Sequence, residues 1–131
     1  MLHIKIKTPL LILLSSFAFL SGCYKDRTVI LESGPEITRT VSFSNDIIPI
    51  FNKSCNLSGC HAKSGQVPDL TPANAFKSLT IGNYIDHNNA INSLLYLKLT
   101  GKKGTPMPVT GINKDYNSLV IAWIKQGAKN N

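Results

Sequence analysis

Two cysteines and a histidine stand together in Cys55-Asn56-Leu57-Ser58-Gly59-Cys60-His61, and thiols beside an imidazole can do several kinds of chemistry. Joined to each other they would close a short disulfide loop, as oxidising compartments permit. As a zinc site they would need a fourth protein ligand, and besides Cys23 and His3 only His87 offers a sulfur or ring nitrogen of the right kind. As a thiol–disulfide redox pair they lack the βαβ setting in which such motifs work. A second feature narrows the choice. Met107 lies 46 residues beyond His61 in Thr105-Pro106-Met107-Pro108, and the only other methionine is Met1. A methionine clamped between prolines on a stiff loop is a poor gap-filler for a core. It is a sensible way to hold a soft thioether sulfur toward a metal. His87, in Asp86-His87-Asn88-Asn89, reads as a solvated loop residue and is the chief rival to Met107 for that task.

The elements that must position these groups are helical and short. Ser44 can cap a helix carrying Ile47, Ile50 and Phe51 on one face, with Cys55 just beyond, and Pro49 is expected to kink it or tighten its first turns. Thr71-Pro72 reads as cap and first helical position, leading into Ala75, Phe76 and Leu79. Ser93 opens Leu94-Leu95-Tyr96-Leu97-Lys98-Leu99, and Gly101 closes it. The clearest helix starts near Asn113, puts Tyr116, Leu119, Val120, Trp123 and Ile124 on one stripe, and ends at Gly127. No segment alternates apolar and polar with a period of two. The expected class is therefore all-α, about four short helices joined by long loops. So few helices bury a thin core, and a large apolar cofactor would supply what is missing.

A thiol pair followed by histidine, just past an apolar helix, resembles a covalent haem attachment site, whose usual form is C-x-x-C-H. Here it is C-x4-C-H, so the attachment loop must bulge, and Gly59 can take the positive φ of a tight return to Cys60. The landmarks are Asp46-Ile47, Pro49-Ile50-Phe51, Cys55, Cys60-His61, Ser93-Leu94-Leu95-Tyr96, Met107-Pro108, Ala122-Trp123-Ile124 and Gly127-Ala128. In that order, over about residues 42–128, they resemble small monohaem cytochromes c, and look closest to the planctomycete-type branch with its wider C-x-n-C-H spacing. The resemblance implies a cytochrome c-like domain wrapped around one covalent haem c. Cys55 and Cys60 would be its thioether anchors, His61 the proximal iron ligand and Met107 the distal one. It also implies that His61 donates its second ring N–H to the carbonyl of Pro68 or a neighbour. With both axial positions taken, the implied function is electron transfer and not catalysis.

The first residues read as an address. Lys5 and Lys7 precede a nearly unbroken apolar run over residues 10–20. Eleven helical residues span only about 16 Å, too short for a hydrocarbon core of about 30 Å, so the run reads as a secretory signal. It closes in Leu20-Ser21-Gly22-Cys23, which looks like a bacterial lipobox, implying cleavage at residue 22 and acylation of Cys23. Residues 1–22 are thus read as signal peptide, 23–41 as lipidated N-terminus and tether, and 42–131 as the haem domain. A tether of seventeen residues would reach about 23 Å as a coil, though Thr28-Val29-Ile30-Leu31 could pair as a short strand.

Charge and composition then exclude whole classes. The 131 residues carry 14 Lys and Arg against 7 Asp and Glu, and removing Lys5 and Lys7 lowers the net charge from +7 to +5. The basic residues are scattered and not interleaved with aromatics, a poor match to nucleic-acid binding. Seven acids, none clustered, leave little for general acid–base catalysis, and no enzyme is expected. The expected protein is a monomer held to the bacterial envelope by its lipid, the haem domain periplasmic or extracellular. Its partners would be redox proteins, acidic ones favoured by Lys53, Lys63, Lys98, Lys102 and Lys103. Two other readings stay open: a haem-free helical lipoprotein stapled by Cys55 and Cys60, and a haem sensor or accessory domain of a larger oxidoreductase.

Overall fold

A computed structural model describes residues 32–131. The signal peptide, Cys23 and the possible strand at Thr28–Leu31 lie outside the described residues. Four α-helices follow one another: α1 (Ile48–Ser54), α2 (Ala75–Ile81), α3 (Leu94–Leu99) and α4 (Lys114–Lys125). A π-helical turn (Phe43–Ile47) leads into α1 and a 3₁₀ turn (Ala90–Asn92) precedes α3. Among the described residues there is no strand, so the all-α class holds. None of the described helices is long and apolar enough to cross a membrane.

The entry to α1 departs from expectation. Its cap is Ser42 and not Ser44, and the turn ahead of Pro49 is widened, not tightened. Ile47 N–H and Ile48 N–H reach back five residues, to the carbonyls of Ser42 and Phe43. Pro49 has no N–H, and its ring would crowd the carbonyl four positions back, which a wider turn relieves. The cap stretches to match. Ser42 Oγ accepts from Asn45 N–H (3.2 Å), while Asp46 Oδ2 accepts from Ser42 N–H (2.8 Å), a reciprocal capping box one residue longer than usual. Arg39 then holds Asp46 with two hydrogen bonds, of 2.7 and 2.8 Å.

Phe43 is the centre of the core. Its ring meets Phe51 at 6.3 Å, Phe76 at 5.4 Å and Trp123 at 5.0 Å, so it joins the start of α1 to α2 and α4. Trp123 and Tyr96 are each only 1% exposed. The Trp123 indole N–H donates to the Lys129 carbonyl at 2.9 Å, leaving no buried donor unpaired there. Asn113 caps α4 by accepting from Asp115 and Tyr116 N–H, and Gly127 ends it at φ 99°, as its sequence predicts.

The segment expected to be tether as far as residue 41 is not free over its second half. Asn117 Nδ2 donates to the Glu32 carbonyl (2.6 Å), the hydroxyls of Ser33 and Tyr96 share a hydrogen bond (2.8 Å), and Gly34 N–H donates to the Lys114 carbonyl (2.9 Å). Val41 is buried, its N–H donating to Gln126 Oε1. Residues 32–41 are therefore a strap along α4, and belong to the folded unit.

Candidate functional site

The segment leaving α1 winds into a compact loop. Cys55 is the C-cap of α1, its N–H donating to the Phe51 carbonyl, and its side chain faces the core. Gly59 sits at φ 78°, the positive value expected for the bulge, with no atom within 4 Å of where a Cβ would stand. The chain then returns: Cys60 N–H donates to the Leu57 carbonyl and His61 N–H to the Cys55 carbonyl at 3.0 Å. That last bond brings His61 back beside the first cysteine. Both thiols are free, Cys55 buried and Cys60 half-buried. Burial, with a smaller contribution from the nearby Cys60, pushes the Cys55 thiol up to about 11.

Past His61 the loop is tied down residue by residue. Gln66 N–H donates to the Cys60 carbonyl at 2.7 Å and Leu70 N–H to the His61 carbonyl at 2.8 Å. Gly65 lies against this turn so closely that a Cβ would strike the Cys60 carbonyl oxygen. The His61 ring places Nδ1 3.0 Å from the Pro68 carbonyl and 3.2 Å from the Gln66 carbonyl. Carbonyl oxygens only accept, so Nδ1 carries the proton, and in the neutral ring Nε2 keeps its lone pair. The Pro68 contact is the one the sequence resemblance implied. The Gln66 carbonyl and the close fit of Gly65 were not foreseen, and the Ser64-Gly65 turn signal was the available cue.

Met107 sits on a different loop, which α3 holds. Its N–H donates to the Lys98 carbonyl at 2.9 Å, Lys103 N–H donates to the Leu97 carbonyl, and Pro108 is buried behind it. Met107 itself is half-buried. His87 is exposed, at the tip of a turn in which Asp86 Oδ1 accepts from Asn88 and Asn89 N–H at 2.9 Å. The structure thus gathers Cys55, Cys60 and His61 on one loop and holds Met107 on another. Among the described residues no three His, Cys, Asp or Glu side chains converge to hold a bare metal ion. Of the six exposed large apolar side chains among the described residues, four (Leu57, Val67, Val109 and Ile112) lie in these two loops.

Lys53, Lys63, Lys102 and Lys103 are exposed and Lys98 is half-buried. Lys102 is not free, because its Nζ lies 3.0 Å from Glu32 Oε1. No protein-family model, curated protein or solved structure matches the chain.

Proposed function

We propose that this chain is a membrane-anchored monohaem c-type cytochrome that carries single electrons in the bacterial envelope. The observation that supports it best is the His61 ring. Two backbone carbonyls hold its proton on Nδ1 and leave Nε2 as a lone-pair donor, on the same loop as two unpaired thiols. The site also lacks what a bare ion needs, since its side chains do not converge on one point. A large flat group with separate attachment points makes no such demand, and exposed Leu57, Val67, Val109 and Ile112 offer it apolar cover.

In this reading Cys55 and Cys60 would be the residues that hold haem covalently, through their sulfurs. Cys55 holds from the core side and Cys60 from the surface side. His61 Nε2 would serve as an iron ligand, its ring oriented by the carbonyls on Nδ1. Met107, on a loop tied to the Lys98 carbonyl, would supply its sulfur as the second protein ligand. When bound, haem c supplies iron that exchanges one electron between its ferric and ferrous forms. A His/Met ligand pair favours the ferrous form and raises the potential. Cys23, acylated, would hold the protein to the membrane, since two or more acyl chains anchor stably where one does not. The exposed lysines would steer acidic redox partners, with Lys102 contributing less because Glu32 offsets it.

Exchange of the two candidate distal ligands tests this assignment. Met107→Ala is expected to abolish the low-spin His/Met spectrum and lower the potential, while His87→Ala leaves both unchanged. The reverse pattern, His87→Ala removing the spectrum and Met107→Ala sparing it, would move the distal site to the Asp86 turn.

A further inference from the structure

We infer that Asp69 is a positioning residue for the His61 ring, acting through the Pro68 carbonyl that receives the ring's N–H. The inference rests on the reading of His61 as an iron ligand only for its consequence, not for the coupling itself. The Pro68 carbonyl lies in the peptide plane that it shares with Asp69, so whatever fixes that plane fixes its direction. That residue is fastened three times. Its Oδ1 accepts from Thr71 N–H (2.9 Å) and Thr71 Oγ1 (2.6 Å), and its Oδ2 accepts from Asn74 Nδ2 (2.8 Å). All three donors belong to the turn that leads into α2. On the far side Leu70 is buried, and its N–H holds the His61 carbonyl. The Asn56 side chain, bonded to Asn52, reaches the Leu70 carbonyl at 3.4 Å.

The stretch from Pro68 to Leu70 is therefore a rigid bar between α2 and the thiol loop. Its ends grip His61 twice, at the ring through Pro68 and at the main chain through Leu70. Asp69 is the side chain that fixes the bar to α2. A neutral residue without acceptors would leave the Pro68 carbonyl free to swing, and Nδ1 would keep only the longer contact to Gln66. The charge of Asp69 is not required. One acceptor oxygen aimed at Thr71 suffices, so Asn is expected to substitute and Ala is not.

The test uses the full chain labelled with ¹⁵N-histidine, in which exposed His87 is an internal control. Solvent exchange of the His61 Nδ1 proton is read by NMR, in the reduced protein if haem is attached and in the bare chain if it is not. Asp69→Ala is expected to speed that exchange about tenfold, the scale of one lost hydrogen bond, with Asp69→Asn close to the parent. Where Asp69→Ala does not fold, Thr71→Val removes one of the three donors and should give a smaller acceleration of the same kind. Unchanged exchange in a folded Asp69→Ala or Thr71→Val protein, or equal acceleration in Asp69→Asn, would overturn the role of Asp69. A chain that carries no haem after export from a host that matures c-type haem would overturn the cytochrome reading alone, whatever the exchange rates show.

Discussion

Cys55 shows how one side chain can report on the state of the whole site. Its thiol is buried, which raises its ionisation from the ordinary 9.0 to about 11. A raised thiol value means the folded chain keeps a proton that the unfolded chain loses. Stability from this group is complete below pH 9 and is lost as the pH climbs to about 11, a loss of about 2 kcal/mol. A haem-free chain should therefore melt more easily in denaturant between pH 9 and 11, and Cys55→Ser should weaken that dependence, leaving the part due to the Tyr96 hydroxyl, which burial also raises. A chain whose Cys55 sulfur is a thioether has no proton to lose there. Its denaturation midpoint should fall less over the same window, by the Cys55 share. His61 is legible at the same scale: the sequence placed it beside a second thiol, and the structure adds which nitrogen holds the proton. The Gln66 carbonyl was illegible because any residue type supplies a carbonyl, and only the fold decides where it points.

Helix type and approximate position follow from apolar spacing, whereas the entry to each helix does not. The stripe of Val120, Trp123 and Ile124 and the cap at Asn113 together define α4, and Ser93 and Gly101 bracket α3 in the same way. At α1 the spacing points to Ser44 as cap, and the wide turn ahead of Pro49 moves the cap to Ser42. At α2 Thr71 and Pro72 form a hydrogen-bonded lead-in in which the Thr71 hydroxyl donates to Asp69, and regular helix begins only at Ala75 with Asn74 as N-cap. The long box at α1 can be tested directly. Asp46→Ala removes an acceptor from both Ser42 N–H and Arg39 and should cost about 1–2 kcal/mol in a denaturant titration at neutral pH. The Arg39 contact holds the Asp46 carboxyl below its ordinary value of 3.8. Its contribution is therefore present above that pH and fades as the solution is made more acidic, so the gap between parent and variant should close below about pH 3.8.

As a whole the molecule is a thin all-helical shell whose core turns on Phe43, Trp123 and Tyr96, braced outside by a strap from Glu32 to Val41. The strap's hydrogen bonds to Asn117, Tyr96 and Lys114 were not readable in advance, because residues 32–40 carry no periodic pattern and their partners lie about 60 to 85 positions away. The strap takes residues 32–41 into the folded unit, so they are not available as a flexible tether. Two loops with exposed apolar side chains interrupt this shell, and they are the ones that carry Cys60, His61 and Met107. Covering them with haem would raise stability by burying apolar surface on both partners. The decisive measurement is extraction of the exported protein with acidified acetone, after expression in a host that matures c-type haem. Haem that stays on the polypeptide, with a sharp low-spin spectrum on reduction, is the expected result. A colourless protein with Cys55 and Cys60 joined as a disulfide would contradict it.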